Sequence, residues 1–360
     1  MGKTKAKTQH RGRRRPGVAA PVRMTLEQTL EAAQSELEQF HLEEARQLLS
    51  RALDMDPDCV RALEMSAGLL LDLDEMESAR TLLQRAVQLE PLTGPTKFLS
   101  LAQLLQGREA ADCYEKAVEL LTAEAEAAPV AAAASGDGPS PARRLSCAFC
   151  ALAELHMTDL CDEPDAETRC RDFVSRAVSA DPSNPEAHQT EAGLLLVTGD
   201  TDGARAALRR STDLWLPAFQ AARAGAAAGD PLEVCPLSYD LRLAAARSLI
   251  EVKDWETAEQ VLDGLAEEDD QVVDTWYLLA LAAFEQGGEA RAGARPYLER
   301  ARQAAEQQPE QQDTEMTEHV RQMLEELGPA PEGEQEDEDE GGEDEWTDDE
   351  EDVEMDAANG

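Results

Sequence analysis

The sequence predicts an all-α protein, a solenoid of about seven helix pairs closed by a C-terminal capping helix and flanked by disordered termini. Three observations predict it. Ala45, Ala52 and Pro57 recur thirty-four places on as Ala79, Ala86 and Pro91, with apolar residues at helical spacing between them (Leu48, Leu49 and Leu53, then Leu82, Leu83 and Val87). Aromatic residues make up only 4% of the chain, and Ala and Leu abound without β-branched runs, which favours helix over strand. Charge is segregated: residues 1–15 carry seven Lys/Arg and no acid, and residues 331–360 carry seventeen Asp/Glu and no base.

The physical reading of the period is a close helix–helix approach. Two antiparallel helices pack tightly only where small side chains let the backbones meet, and proline is tolerated only where the second helix has ended. A thirty-four-residue period with small residues seven apart and a proline five further on is that of the tetratricopeptide repeat. One such pair cannot bury its apolar face alone, so neighbours must stack on it. Stacking with a constant small rotation is expected to give a right-handed superhelix whose concave groove is lined mainly by the first helix of each pair.

Taken in order, residues 1–23 are basic and aperiodic and read as a disordered tail, its arginines serving nuclear import ahead of a contact with RNA or a solubilising terminus. Repeat one begins at Thr25, which with Gln28 forms a capping box, and its helices span 26–39 and 42–55. Repeat two covers 59–89, with Ala67 in the small-residue slot of its first helix. Repeat three is degenerate: a short helix over 97–105, then one over 109–121 with Ala110, Tyr114 and Ala117 in register. The Ala-rich stretch 123–141 ends in Ser-Gly-Asp-Gly-Pro-Ser-Pro and reads as a loop inserted inside the array, because the repeat pattern resumes beyond it.

Repeat four runs over 144–181 (Ala153, Ala177, Pro182), repeat five over 185–216 (Ala192, Ala204, Leu208) and repeat six over 238–265 (Ala246, Ala258, Leu262). Between the last two, Ala221–Gly229 reads as a frayed helix or a loop. Repeat seven, over 274–307, carries the fullest match in Trp276, Leu279, Ala280, Ala294, Leu298 and Ala301, with a two-residue insertion at Gly287-Gly288. A last helix over 315–327 is apolar on one face only, as a terminal cap requires. The solenoid thus spans 24–328, and residues 329–360 form an acidic tail that cannot collapse onto a core.

Formal net charge is −42, and removing the +7 of residues 1–15 and the −17 of residues 331–360 leaves −32 on residues 16–330. A body so acidic repels nucleic acid and anionic membrane and attracts basic partners. No apolar run approaches a membrane span, Trp276–Phe284 being the longest clean one. Seven cysteines without a secretory signal point to reduced thiols, hence a cytoplasmic and nuclear protein, expected to be a monomer.

Enzyme signals are poor: there is no phosphate-binding loop, no GxGxxG, no HExxH and no GxSxG. Cys147, Cys150, His156, Cys161 and Cys170 include one CxxC spacing but lack the second tight pair that zinc needs. Small apolar fillers of a core are the better reading, so neither a metal nor a cofactor is expected.

The groove is the expected site. The repeat register turns inward Glu27 and Glu38 in repeat one, Glu64 and Asp72 in repeat two, and Glu154, Met157 and Asp159 in repeat four. Glu186 follows in repeat five, Asp240 and Glu251 in repeat six, and Asp274, Tyr277 and Glu285 in repeat seven. Acids interleaved with apolar and aromatic residues suit a basic, extended peptide whose Arg and Lys pair with carboxylates while their stems lie on apolar patches. Clamping the acidic tail of a heat-shock chaperone would need basic residues there; Arg61 and Arg247 are the obvious ones, and acids surround both. The alternative is an acidic nuclear scaffold or histone-type chaperone that binds basic partners through its C-terminal tail.

Several stretches carry a family resemblance: Thr96–Gln103 (TKFLSLAQ), Tyr114–Glu119 (YEKAVE) and Ala153–Cys161 (AELHMTDLC), where relatives often have Tyr in place of His156. Asn184-Pro185-Glu186, Ala204–Leu208 (ARAAL), Asp274–Leu279 (DTWYLL) and Asp344-Glu345-Trp346 continue it. Over about residues 25–350 the chain resembles the dedicated assembly chaperones of large-subunit ribosomal protein four, first recognised in fungi. That resemblance implies a non-enzymatic protein that captures the new ribosomal protein by its long basic internal loop. It further implies escort into the nucleus, with an import receptor as a further partner, and release on the pre-60S ribosome. The 123–141 loop and the basic N-terminus depart from the fungal pattern.

Overall fold

The computed structural model describes residues 24–127, 139–226, 230–308 and 313–329. Both tails and the centre of the expected inserted loop lie outside the described residues. Eighteen helices and no strand occur among those described.

The first pair is α1 (Leu26–Glu38) and α2 (Leu42–Met55), and the second is α3 (Val60–Asp72) and α4 (Met76–Leu89). Thr25 opens α1 with the expected capping box: its side chain accepts from the Gln28 backbone, and the Gln28 side chain accepts from the Thr25 backbone. Ala45, Ala52, Ala79 and Ala86 are fully buried, so the small-residue slots are where the backbones close on each other. The next pairs are α5 (Pro95–Gln103) with α6 (Gly107–Ala127), α7 (Pro141–Met157) with α8 (Ala166–Ala180), and α9 (Pro185–Val197) with α10 (Thr201–Asp213). Each pair's second helix packs on the first helix of the next.

Two boundaries differ from the sequence expectation. Helix α6 runs on through Ala123–Ala127, because Ala and Glu are strong helix formers and nothing there breaks the helix. Helix α7 starts at Pro141 rather than 144, because Ser140 caps it by accepting from the Arg143 backbone at 3.1 Å and Pro141 fills the first helical position. The inserted segment is shorter on both sides as a result.

After α10 come α11 (Leu216–Arg223) and the single turn α12 (Pro231–Val234), then the sixth pair, α13 (Tyr239–Glu251) and α14 (Trp255–Glu268). Helix α13 packs back against α9 and α10, so α11 and α12 are an excursion between pairs, with α11 tied to α14 through Gln220–Gln260 and Arg223–Glu267. Buried Trp215 and Phe219 anchor it, their rings edge-on at 5.7 Å.

The helices group into two compact units, Met1–Glu268 and Asp269–Gly360, a division the repeat period does not mark. The second unit holds α15 (Val273–Gln286), α16 (Gly288–Ala292), α17 (Ala294–Gln307) and α18 (Thr314–Leu327). The two glycines expected as an insertion open the short α16. Helix α18 buries Val320 and Met323 against Ala280, Leu298 and Ala301, the one-sided apolar face expected of a cap.

Candidate functional site

A cavity of about 900 Å³ opens where α5, α6, α7 and the start of α9 meet. Leu99 and Gln103 of α5, Tyr114 of α6, Cys147, Ala148, Ala151 and Glu154 of α7, and Glu186 of α9 line it. Two of the expected groove acids, from different repeats, therefore face one space.

A buried polar network fixes that meeting. Ser146 donates to the Ala177 carbonyl at 2.8 Å, and Asn184 Nδ2 donates to Ser146 Oγ at 2.9 Å. The Asn184 Oδ1 accepts from the Glu186 backbone at 3.2 Å, capping α9. Ser146 and Asn184 are at most 1% exposed, so these bonds tie α7, α8 and α9 together in a water-poor setting where each lost partner is costly.

The carboxylates of this cleft are charge-stressed. Glu154 is reached by solvent yet hemmed in by protein, and desolvation followed by repulsion from Glu186 pushes its pKa up to about 7. Burial likewise raises Glu186, opposed by a hydrogen bond from the Cys147 thiol and by the charge of Arg143, which lines the same cavity. Desolvation, with Glu154 and Glu186 behind it, pushes Tyr114 up to about 12, and desolvation plus Glu186 does the same for Cys147.

Basic side chains of the rim are committed elsewhere: Arg143 Nε donates to Asp181 at 2.5 Å and its Nη2 to the Ser183 carbonyl at 2.9 Å, while Arg144 donates to Thr96 at 2.8 Å. Among the described residues no Lys or Arg forms an ion pair with Glu154 or Glu186.

The other expected groove residues are scattered in use. Glu27 is exposed and pairs with Arg61, and exposed Glu38 accepts from Gln34 at 3.0 Å. Glu64 lies 3.7 Å from the Lys97 ammonium and is raised chiefly by its own burial. Met157 is half-buried toward Gly193 of α9. Asp159 serves the backbone instead, accepting from the Gly107 amide at 2.8 Å and so capping α6.

Asp72, Asp240, Glu251 and Glu285 are exposed. In the second unit, Asp274 lines a separate cavity of about 300 Å³. Tyr277 bonds His319 of α18 at 2.8 Å, so it holds the cap.

Sequence reasoning does not single out Tyr114 or Cys147 as parts of the site, nor Lys97 as the neighbour of Glu64. Lys97 is 1% exposed and stands thirty-four places after Leu63, itself thirty-four after Thr29, all three buried; that register is the available signal. The cysteine–histidine group disperses: Cys150, Cys170 and His156 are buried, His156 stacking on Phe173 at 5.6 Å, while Cys161 is exposed. Among the described residues no three His, Cys, Asp or Glu side chains converge as metal ligands would, and no helix is long and apolar enough to cross a membrane.

Comparison with known proteins agrees with this architecture. A tetratricopeptide-repeat family model matches residues 36–95. The "Probable assembly chaperone of rpl4" of Schizosaccharomyces pombe is 31% identical over 242 residues, 66% of this chain and 67% of that one. Its namesake in Emericella nidulans is 30% identical over 248 residues, 65% of this chain and 57% of that one. A solved structure of "Assembly Chaperone of RpL4 (Acl4) (Residues 1-338)" superposes with a TM-score of 0.64 at 28% identity, covering 75% of this chain and all of that one. With sequence and fold both matching these chaperones and the repeat matching the tetratricopeptide model, the chain belongs to the family of assembly chaperones of rpl4, a non-enzymatic family built on tetratricopeptide repeats.

Proposed function

We propose that this chain is a dedicated chaperone of large-subunit ribosomal protein four, binding the newly made protein by its basic internal loop along the acidic faces of the first helices. The observation that carries the reading is the cleft that Glu154 and Glu186 share, in which neither carboxylate forms an ion pair with a Lys or Arg among the described residues, within a body of charge −32. Basic extensions of ribosomal proteins fold only against RNA and otherwise aggregate or bind RNA indiscriminately. An acidic cleft shields such a segment, and the denser charge of RNA then competes it away without ATP. Delivery to the nuclear pre-60S ribosome, with the basic N-terminus contacting an import receptor, completes the proposal.

Co-expression tests it. Ribosomal protein four should stay soluble with the full chain and aggregate with the Glu154→Lys, Glu186→Lys double variant, the circular dichroism of the variant being unchanged. Deleting residues 331–360 distinguishes the tail-binding scaffold: the proposal keeps the complex with a slower on-rate, whereas loss of the complex on deletion overturns it.

A further inference from the structure

Two carboxylates on separate helices face one cavity, and among the described residues neither forms an ion pair with Lys or Arg, Arg143 acting on Glu186 only through space; a proton or an incoming cation relieves such a pair. The cavity offers more than charge. Leu99, Ala148 and Ala151 give it an aliphatic wall, and the Tyr114 ring a flat one. At about 900 Å³ it has room for a side chain with its water. The chain's own guanidinium groups at the rim are turned to Asp181, Ser183 and Thr96, so they do not fill it.

We infer that this cavity is a socket for the side chain of one arginine of the bound segment, its guanidinium bridging Glu154 and Glu186 and its stem lying on Tyr114 and Leu99, and that seating it expels a proton to solvent. The inference rests on the client reading above and adds to it a single anchoring position with a proton linkage. Arginine fits better than lysine. Its planar fork of donors spans two carboxylates at once, stacks on an aromatic face and is less strongly hydrated than an ammonium.

The proton follows from the surroundings of Glu154. Facing it are Glu186 from α9, Tyr114 from α6, and Cys147 and Cys150 from its own helix, with Asp181 already tied to Arg143. Tyr114 and both thiols are held neutral by burial, so Glu154 is the group of this cleft that titrates near neutrality, with Glu186 raised beside it. A guanidinium binds the ionised pair, so affinity rises with pH across the Glu154 titration.

The experiment uses the full chain and a synthetic peptide of the client's basic internal loop, with calorimetry at pH 6 and 8 in buffers of different ionisation enthalpy. Expected are an affinity gain of about tenfold from pH 6 to 8, and proton release on binding of up to one per complex. Glu154→Gln should weaken binding about ten- to hundredfold and remove both the gain and the release, whereas Glu77→Gln on the exposed start of α4 should change neither. A series of single Arg→Lys peptides should reveal one position whose replacement mimics Glu154→Gln. Tight binding that is indifferent to pH, to Glu154→Gln and to every single replacement overturns the socket and leaves the client reading standing. Absence of any peptide binding to the wild-type chain overturns both.

Discussion

Arg61 donates to Glu27 at 2.6 Å, and the two residues hold the same place in successive first helices, thirty-four positions apart. An acid that the repeat register turns toward the groove is thus matched by a base from the next repeat. The pair is solvent-exposed on both sides, so its stabilisation is small. Arg61→Ala should cost less than about 1 kcal/mol in urea unfolding. Glu27→Lys should weaken client binding far less than Glu154→Lys, because Glu27 is already neutralised; equal losses in a pull-down would contradict this.

Asn184 makes a different case. Its side chain caps α9 and reaches Ser146, so replacing it leaves the Ser146 hydroxyl and the Glu186 backbone short of partners in a buried place. Asn184→Ala should destabilise the chain by about 1–3 kcal/mol. It should also raise amide exchange in the first turn of α9.

Glu154 links stability to pH. Its folded pKa of about 7 stands above the ordinary glutamate value of 4.5, so between those values the folded chain binds more protons than the unfolded one, and stability falls as pH rises from about 4.5 to about 7. Glu154→Gln should remove this component. Denaturant midpoints of wild type and variant, measured at pH 5 and 7.5, should therefore differ most at the higher pH, with the variant the more stable there.

Phe40, Asp74 and Lys253 have φ of 58°, 60° and 61°, in the turn between the two helices of their repeats, where Gly199 supplies the same left-handed backbone in another repeat. Side chains other than glycine are strained in that region. Phe40 is also 85% exposed, so little packing is lost with it. Phe40→Gly should raise stability by about 0.5–1 kcal/mol, the relief of strain exceeding the entropy that glycine adds to the unfolded chain. A lower denaturant midpoint would show that the ring contributes more than its exposure suggests.

Most helices are legible in the sequence because small residues at close contacts leave a fixed spacing: Ala45 and Ala79 mark the period, and Thr25 with Gln28 marks a helix start. Left-handed turns filled by Phe, Asp and Lys are illegible, since no residue type announces them. Asp159 shows the limit for the site. Spacing along α7 places it beyond Glu154 and Met157, but the Thr158 backbone leaves the helix there, which carries Asp159 to the amide of Gly107. Glu154 and Glu186 are each legible as inward residues. Their convergence is not, because it depends on how α9 is capped by Asn184, which is held in place by a contact across thirty-eight residues.

Helix α13 returns to α9 and α10 after the chain has wandered through α11 and α12. Neighbourhood in the stack is therefore decoupled from neighbourhood in the polypeptide. Helix α11 is fixed on α14 by Phe219 and Arg223, so a change of length is absorbed past Arg223, like slack in a rope beside a ladder, without shifting one rung against the next. The chain past Arg223 is thus where size can change while the stacked helices keep their spacing.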